Sequence, residues 1–396
     1  MVSKKILIIS QSEVIGVVGG AIKSFCRLAN SLSQLGYEVT AVCYNPKQGT
    51  PYIKLDEKVN FINLYYLDME GYQPKNHKIG FVEKLFSNIF SRQVINFNAS
   101  DYSKKIEHLI NQNRPDIMIC FFPHVLFQST FMKSFDIPKV LLYRSRPDVY
   151  YKTFTTSKKI IPFIKLASKK ANYAQVLFDS HKKIAKKYVN CNINTIPNYV
   201  KLQESQADLS ISKNTIIYLS RIDNCKGQDF LIKSFAKIAS KHKDWQIHIY
   251  GEFQPPKIEH HLNNLIKEHN LENQIKLFGK IDNPAEKFLQ ADFCVFPSYF
   301  EGFPNGLAEA MSAGLPCIGL KTCSGVNDLI KHNENGFLCA KNENEFAQKI
   351  SLLIENQELR SKLGNKAREL IKEYSFENYI NKWQSFIEKV LDENQR

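Results

Sequence analysis

The chain has 396 residues, and its 53 lysines and arginines against 39 aspartates and glutamates give it a formal net charge of +14 near neutral pH. At roughly 100 to 200 residues per domain, this length predicts two domains and excludes a single small binding module. The apolar fraction of 43% and the charged fraction of 23% are typical of soluble globular proteins and exclude a wholly disordered chain.

Strand-like and helix-like patterns alternate in the first half of the chain. Between the first two apolar runs, apolar residues recur at steps of three and four and predict a helix that ends at Gly36. This βαβ pattern, extended by further apolar runs, predicts a parallel sheet with helices on its faces. The predicted strands span residues 5–10, 37–44, 116–121, 139–143 and 173–178.

A polar linker is predicted at 201–213, and a second alternating series follows it. The chain should therefore form two open α/β domains, which usually bind ligands outside the carboxyl ends of their strands. Near the carboxyl terminus the pattern becomes helical, and Ser375 can cap the final helix. The predicted strands span 215–220, 246–250, 274–278, 293–296 and 316–320, and the predicted helices span 228–239, 346–355, 359–374 and 376–391.

Signals for export and disulfide formation are absent from the sequence. The apolar stretch at 6–10 is too short for a signal peptide, and no run approaches the roughly 18 apolar residues of a membrane-spanning helix. The nine cysteines show no C-x-x-C spacing. We therefore expect a cytoplasmic protein with reduced, mostly buried thiols.

Most of the net charge lies in one segment, residues 144–187, which we call the basic segment. Its twelve basic and two acidic residues give it a charge of +10. Ile160, Phe163 and Leu166 alternate there with lysines, which favours a basic amphipathic segment lying against an anionic membrane surface. Each lysine near such a surface adds about 1 kcal/mol of attraction. A solvated helix face and a nucleic-acid site are the alternatives.

The first of three clusters with candidate chemistry is the glycine-rich loop after the first strand. Gly16, Gly19 and Gly20 lead there into a helix. Glycines let a ligand approach the backbone closely, and a helix start offers free N–H groups to an anion. A plain tight turn would need the same glycines.

The second cluster follows the first strand of the second series. Arg221 and Lys226 place two cations at the carboxyl end of a parallel strand, where they suit a diphosphate. A surface loop with incidental charges is the alternative reading.

The third cluster contains two glutamates seven residues apart. Glu301 precedes a loop marked by Pro304 and Gly306, and Glu309 lies about one turn inside a short apolar helix. Both carboxylates can border one pocket, and N–H groups near Gly306 and Leu307 would meet a phosphate at the positive end of the helix dipole. An exposed helical glutamate is the alternative for Glu309.

These motifs occur together in a fixed order along the chain. They are Gly19-Gly20-Ala21-x-x-Ser24, Ser220-Arg221-x-x-x-x-Lys226-Gly227, the pair Glu301 and Glu309, and Tyr374-Ser375 followed by Trp383. The combination resembles the retaining glycosyltransferases of the GT4 family over residues 5–390. It implies an α/β protein of GT-B architecture, in which two Rossmann-like domains face each other across a cleft. The acceptor-binding domain would span 1–200, the nucleotide-sugar domain 201–374, and a helix at 375–396 would return to the first domain.

The resemblance implies a role for each matching residue. Arg221 and Lys226 would bind the donor diphosphate, and Glu309 would accept hydrogen bonds from the ribose hydroxyls. Glu301 would contact hydroxyls of the transferred sugar at the reaction centre. The other expected donor-binding residues are Gly19, Gly20, Gly302, Phe303, Asn305, Gly306 and Leu307.

The resemblance is less close in the first domain. Many family members carry a histidine near the reaction centre after a middle strand, and His124 is the nearest match for this catalytic or substrate-contacting residue. Where others show a second histidine, this chain has Arg144 and Arg146, which could bind an acceptor phosphate. The alternatives are a loop-capping role for His124 and simple membership of the basic segment for the two arginines.

No metal and no cofactor are expected. The chain has no D-x-D motif, and its ten histidines show no convincing metal-ligand spacing. Arg221, Lys226 and a helix N-terminus would instead offset the charge of the leaving group. For a retaining transfer we expect front-side attack, with the departing phosphate oxygen taking the acceptor's proton.

The sequence therefore predicts a glycosyltransferase that is peripheral on the inner face of the cytoplasmic membrane. It would move a hexose or N-acetylhexosamine from a nucleotide sugar, most plausibly a UDP-sugar, to a lipid-linked or polysaccharide acceptor of lipopolysaccharide or capsule. The alternatives are a sugar-nucleotide epimerase of the same fold and a non-catalytic binder of anionic polymers. Nucleic acid is not an expected partner.

Overall fold

The computed structural model describes residues 3–10, 14–17, 19–69, 99–129, 136–153, 161–281 and 283–394. The chain divides into two compact units. The first unit comprises Met1–Asn198 together with Tyr379–Arg396, and the second comprises Tyr199–Asn378.

The first unit contains a seven-stranded parallel sheet in the order β3-β2-β1-β4-β5-β6-β7. Its strands are β1 (Lys5–Ile9), β2 (Glu38–Cys43), β3 (Asn60–Asn63), β4 (Ile117–Cys120), β5 (Lys139–Leu142), β6 (Tyr173–Val176) and β7 (Asn192–Thr195). The helices before the second unit are α1 (Gly20–Gln34), α2 (Ala99–Asn113), α3 (Pro123–Ser129), α4 (Pro147–Thr153), α5 (Ile161–Ser168) and α6 (Lys182–Ala185), with 3-10 turns at Leu64–Tyr66 and Asp179–His181.

The second unit contains a six-stranded parallel sheet in the order β10-β9-β8-β11-β12-β13. Its strands are β8 (Thr215–Leu219), β9 (Gln246–Tyr250), β10 (Ile275–Gly279), β11 (Phe293–Phe296), β12 (Cys317–Leu320) and β13 (Gly336–Cys339). Its helices are α7 (Gln228–Ala236), α8 (Ile258–Glu268), α9 (Pro284–Leu289), α10 (Asn305–Ser312), α11 (Val326–Leu329), α12 (Glu343–Glu355) and α13 (Gln357–Leu370), with 3-10 turns at Ala239–Lys241 and Ile371–Tyr374.

The predicted pair of α/β sheets is confirmed, and the central strands lie close to their predicted positions. Strands β4, β5, β6, β11 and β12 are almost wholly buried, because a parallel sheet covered on both faces produces continuous apolar runs. Three strands at sheet edges, β3, β7 and β13, were missed. The sequences of β3 and β7, NFIN and NINT, carry asparagines at half-buried positions and give no apolar run.

The segment predicted as a linker, residues 201–213, has no helix or strand but is held firmly on the second unit. Arg368 on α13 donates hydrogen bonds to the carbonyl oxygens of residues 203, 204 and 205 at 2.9 to 3.1 Å. The Ala207 amide donates to the carbonyl of Ala313 at 2.8 Å. The segment is therefore part of the second unit and is tied to it by hydrogen bonds of its backbone.

The last helix, α14 (Phe376–Asn394), returns to the first unit as predicted. The Oγ of Ser375 accepts a hydrogen bond from the Asn378 amide at 3.3 Å, which is the expected cap. Trp383 and Phe386 are buried, and Tyr173 on β6 donates a hydrogen bond from its hydroxyl to Glu393 at 2.7 Å.

The cysteines and the lengths of the helices can be compared with two predictions from the sequence, buried reduced thiols and no membrane-spanning helix. All nine cysteines are free, and seven are buried, which agrees with the expected buried thiols, whereas Cys225 is exposed. Among the residues described, no helix combines the length and the apolar character that crossing a membrane requires.

In each sheet the strand order reverses beside the first strand of the unit. The reversal falls between β1 and β4 in the first sheet and between β8 and β11 in the second. In open α/β sheets, the crevice outside the carboxyl ends of the strands at such a reversal is the usual ligand site. The loops that follow these four strands contain most of the residues singled out in the sequence.

Candidate active site

In the second unit, two glycines allow the loops at the strand-order reversal to meet. Gly227 has a φ of +71°, and a Cβ there would lie 2.3 Å from the carbonyl oxygen of Pro297, just after β11. A Cβ at Gly306, in the first turn of α10, would lie 2.3 Å from the carbonyl oxygen of Leu219 at the end of β8. Only glycine permits such approaches, so the end of β8, the end of β11 and the start of α10 converge.

The convergence places Lys226 against Glu301. The Lys226 Nζ donates to Glu301 Oε1 at 2.7 Å, and both side chains are about nine-tenths buried. The hydroxyl of Tyr218, in β8, fixes this loop by donating to the Lys226 carbonyl at 2.6 Å and lying 3.0 Å from the Ser298 hydroxyl. Two residues that were predicted to bind different parts of one donor are thus direct neighbours.

Arg221 lies at the mouth of the same loop and is half exposed. Its guanidinium donates to Gln254 Oε1 at 3.1 Å and lies 3.3 Å from Asp223. A guanidinium has five N–H donors, so these two contacts leave other donors of Arg221 accessible to solvent. Arg221 therefore adds a second, more exposed cation to the buried Lys226.

Helix α10 contributes the remaining predicted donor residues. Asn305, Gly306 and Leu307 form its first turn, and Glu309 lies partly exposed in its second turn. Phe303 is buried beside Tyr374, with ring centroids 5.7 Å apart, and Gly302 precedes it in the loop from β11. A helix start next to two cations suits a dianionic group such as a diphosphate.

In the first unit, the predicted glycines lie at the start of α1. Gly19 is the N-cap residue, in an extended conformation, and Gly20 is the first helical residue. A Cβ at Gly19 would meet no described atom within 4 Å. The fold of the described residues therefore does not itself require glycine at this position, which leaves room for a ligand close to the backbone.

His124 lies directly after β4, at the strand-order reversal of the first sheet, on the first turn of α3. Its ring is nearly parallel to two neighbouring aromatic rings, with centroids 5.3 Å from Phe122 and 6.1 Å from Tyr150. Its Nδ1 is hydrogen-bonded to the Tyr150 hydroxyl, and its backbone amide donates to that same oxygen at 3.3 Å. Burial lowers the pKa of the His124 imidazole to about 4, so the ring is neutral at physiological pH.

The two arginines proposed for an acceptor phosphate have different surroundings. Arg144 donates to Gln175 at 3.3 Å and to Asn198, and its guanidinium lies 5.3 Å from the Phe121 ring centroid. Burial lowers the pKa of Arg144 to about 10, which leaves it charged at neutral pH. Arg146 forms a two-pronged pair with Asp148 at 2.7 and 3.1 Å, which offsets its charge locally.

The structure thus brings Lys226 and Glu301 together in the second unit and adds two residues that sequence reasoning missed. Tyr218 holds the loop of Lys226, and Tyr150 holds His124. No local pattern points to either tyrosine, since each is one aromatic among many in a buried element. Among the described residues, no group of three or more histidine, cysteine, aspartate or glutamate side chains is arranged to hold a metal ion.

The second half of the chain is similar to a known protein family. Residues 202–370 match the family described as glycosyl transferases group 1. This stretch, which lies in the second unit, is therefore similar to a group 1 glycosyltransferase domain. This match contains the loop of Lys226, the Glu301 loop and helix α10, and it confirms the family resemblance at the level of group 1.

A protein of Haemophilus influenzae named an uncharacterized glycosyltransferase is 26% identical over 377 residues, which are 94% of this chain and 97% of that protein. The similarity therefore extends through both units of the chain.

Solved structures show the same fold over nearly the whole chain. Sucrose-phosphate synthase from Thermosynechococcus elongatus has a TM-score of 0.80 at 18% identity and covers 98% of this chain and 99% of its own. A mutant of TarM from S. aureus, in complex with Fondaparinux, alpha-GlcNAc-glycerol and UDP, has a TM-score of 0.75 at 19% identity and covers 96% of this chain and 99% of its own. The predicted GT-B fold is thereby confirmed.

Proposed function

We propose that this glycosyltransferase is a retaining, metal-independent enzyme of the GT4 family that uses a UDP-linked hexose or N-acetylhexosamine. Its acceptor is a lipid-linked or polysaccharide chain of the cell envelope, in lipopolysaccharide or capsule synthesis. The observation that carries this proposal is the buried pair of Lys226 and Glu301 beside Arg221 and the first turn of α10. The TarM complex, which contains UDP, supports the choice of nucleotide.

The charges of the site favour a diphosphate leaving group. A buried cation is costly to desolvate and is stabilised by a neighbouring anion. Glu301 supplies that anion in the structure, at 2.7 Å. A donor diphosphate would approach Lys226 from the accessible side, with Arg221 and the N–H groups of Gly306 and Leu307 as its further partners. Glu301 would then accept hydrogen bonds from the transferred sugar.

The proposed reaction needs no protein nucleophile. The acceptor hydroxyl attacks the anomeric carbon from the face that the nucleotide leaves, while the bond from that carbon to the phosphate oxygen breaks. The departing phosphate oxygen takes the hydroxyl proton, so a new glycosidic bond and a nucleoside diphosphate are the products. Fixed charges at Lys226, Arg221 and α10 stabilise the developing phosphate charge without a metal ion.

Turnover of sugar nucleotides tests this proposal directly. Purified protein is incubated with a panel of UDP-, GDP- and ADP-sugars and a membrane extract, with and without a chelator, and released nucleoside diphosphate is measured. We expect release with a UDP-sugar that survives the chelator and depends on the extract. Glu309→Gln should lower this release at least roughly a hundredfold, because it removes the carboxylate proposed to accept hydrogen bonds from the ribose hydroxyls.

The matched control is Glu272→Gln, which alters an exposed glutamate of the same unit and should leave turnover unchanged. Equal turnover in the two variants would contradict the site assignment. Interconversion of UDP-sugars without transfer would show an epimerase, and binding of anionic polymers without turnover would show a non-catalytic binder.

We also propose that the basic segment holds the enzyme on the inner face of the cytoplasmic membrane, where lipid-linked acceptors lie. Helix α5 exposes Phe163 and Leu166, with relative accessibilities of 50% and 62%. Lys169 and Lys170, which follow the helix, are exposed. The rest of α5 is anchored, since Ile164 is buried and Ser168 is hydrogen-bonded to Tyr151 at 2.8 Å.

This combination of exposed apolar and basic side chains suits an anionic bilayer. Lys158, Lys159 and Ile160, which also support the prediction from sequence, lie outside the described residues. Lys165 faces inward, with its Nζ 5.5 Å from the Tyr188 ring centroid. The membrane contact therefore rests on Phe163, Leu166, Lys169 and Lys170 in the described part of the chain.

Sedimentation with phosphatidylglycerol-containing vesicles tests the membrane contact. Replacing both Lys169 and Lys170 with Glu should weaken binding by at least roughly tenfold, since each lysine contributes about 1 kcal/mol near an anionic surface. Lys257→Glu with Lys267→Glu, at exposed positions of the second unit, is the charge-matched control. Phe163→Ser and Ile211→Ser form a similar pair for apolar contact, because Ile211 is exposed but belongs to the second unit. Unchanged binding in the α5 variants would contradict this contact.

A further inference from the structure

The contact between His124 and Tyr150 forms a small closed ring of hydrogen bonds. The His124 backbone amide donates to the Tyr150 oxygen at 3.3 Å, and the same oxygen is bonded to Nδ1 of the His124 side chain. The two residues are 26 positions apart in the chain. Tyr150 lies on α4 and is 4% exposed, so its hydroxyl position is fixed by the core of the first unit.

The protons of this ring can be assigned from the network. A backbone amide is always a donor, so the phenol oxygen accepts a hydrogen bond there. That arrangement directs the phenolic proton to Nδ1 of His124, which then accepts. Burial raises the pKa of the Tyr150 hydroxyl well above its ordinary value, so the phenol keeps its proton at neutral pH.

A neutral imidazole that accepts a hydrogen bond at Nδ1 carries its proton on Nε2. Among the described residues, Nε2 of His124 has no hydrogen-bond partner. The imidazole plane lies within 14° of the Phe122 plane and 12° of the Tyr150 plane. Together with the hydrogen bond at Nδ1, this orientation fixes the direction of the Nε2–H bond. His124 therefore offers a fixed donor at the strand-order reversal of the first sheet.

We propose that Tyr150 is a positioning residue that holds His124 as the Nε2–H tautomer, so that His124 acts in the transfer as a hydrogen-bond donor through Nε2 and not as a general base. This role rests on the proposed function. A donor can stabilise an oxygen of the departing phosphate as negative charge develops on it. The acceptor's proton then goes to the departing phosphate oxygen, as the front-side reaction requires.

The tautomer is measured independently of activity. The full-length protein labelled with ¹⁵N-histidine gives long-range ¹H–¹⁵N correlations at neutral pH, and His124→Asn assigns the His124 signals by their loss. We expect an unprotonated Nδ1 and a protonated Nε2. A protonated Nδ1 or a cationic ring in the wild-type protein would overturn the proposal, whether or not any variant folds.

The positioning role of Tyr150 in the reaction is measured with Tyr150→Phe, which keeps the aromatic ring and removes only the hydroxyl. We expect kcat to fall roughly tenfold while KM for the donor changes less than about twofold, because the interaction lost strengthens in the transition state. Tyr151→Phe is the control, since the Tyr151 hydroxyl contacts Tyr143 and Ser168. It should leave both kcat and the His124 signals unchanged.

The two proposals can fail separately. An active wild-type enzyme in which Tyr150→Phe retains full kcat would overturn the positioning role and leave the glycosyltransferase proposal intact. A wild-type protein with no turnover on any sugar nucleotide would remove the proposed function and with it the reaction role of His124, even if the Nε2–H tautomer is found.

Discussion

The two strand-order reversals of this protein contain different kinds of side chain. In the second unit, a buried ion pair of Lys226 and Glu301 lies beside the exposed guanidinium of Arg221. In the first unit, a neutral histidine lies beside two nearly parallel aromatic rings and is hydrogen-bonded to one of them, the tyrosine Tyr150. The first arrangement suits a charged diphosphate, and the second suits a single oxygen that accepts a hydrogen bond. One fold therefore provides an electrostatic site and a directional hydrogen-bonding site.

The largest expected effect comes from the charge of Lys226. Lys226→Met should lower turnover roughly a hundredfold to a thousandfold, because it removes a preorganised cation from the leaving group. Lys233→Met, at an exposed position of α7, is the control and should retain activity. Initial rates of nucleoside diphosphate release provide the measurement.

Because Lys226→Met also leaves the carboxylate of Glu301 buried without its cation, the double variant with Glu301→Gln separates stability from catalysis. It should recover unfolding free energy relative to Lys226→Met without recovering turnover. Recovery of turnover in the double variant would show that the lysine only neutralises Glu301.

The second effect concerns the neutral histidine of the first unit. Its folded pKa of about 4 is below the ordinary value of 6.5, so the unfolded chain binds more protons between these two pH values. Stability contributed by neutral His124 should therefore decrease as pH falls from 6.5 to 4, by on the order of 3 kcal/mol. Urea unfolding midpoints are measured across this pH range. The dependence of the midpoint on pH should be weaker in His124→Asn than in the wild type, whereas the control His261→Asn, which alters an exposed histidine, should keep the wild-type dependence. An equal pH dependence in the two variants would contradict a buried neutral ring.

The third effect concerns the close approach of loops in the second unit. Gly227→Ala should lower the free energy of unfolding by at least about 2 kcal/mol, because the residue has a positive φ and its Cβ would lie 2.3 Å from a carbonyl oxygen. Chemical denaturation followed by circular dichroism measures this loss. A fully stable variant would show that the two loops can separate without cost.

The smallest effect on stability is expected at Gly19. A Cβ there would meet no described atom within 4 Å, so Gly19→Ala should change the free energy of unfolding by less than about 1 kcal/mol. Turnover should nevertheless fall at least roughly tenfold if a substrate lies against this backbone. Unchanged turnover would remove Gly19 from the substrate site and weaken the contrast with Gly227, whose glycine the fold itself requires.

The sequence predicted the second unit better than the first for a physical reason. Its site depends on charges and glycines within short segments, such as Arg221 to Gly227, and local motifs preserve those spacings. The site of the first unit depends on Tyr150, whose hydroxyl is hydrogen-bonded to His124 although the two residues are 26 positions apart. Aromatic residues are frequent throughout that part of the chain, so no spacing distinguishes Tyr150 from its neighbours.

The central strands of both sheets were also easier to predict than the edge strands. Central strands were predicted because burial on both faces produces apolar runs, whereas β3 and β7 are edge strands with asparagines at half-buried positions. The pairing of Lys226 with Glu301 was also not predicted, although both residues were. Their separation of 75 positions is bridged only by the adjacency of β8 and β11.

The assignment of charge to the second unit and neutral hydrogen bonding to the first is tested most directly by UDP binding. Isothermal titration calorimetry measures the affinity of UDP for the wild-type protein, Lys226→Met and His124→Asn, each in the presence of a chelator. We predict that UDP binds the wild type, that Lys226→Met weakens binding by at least roughly tenfold, and that His124→Asn leaves the affinity within about twofold of the wild-type value. Absence of UDP binding to the wild type, or a loss of affinity confined to His124→Asn, would contradict it.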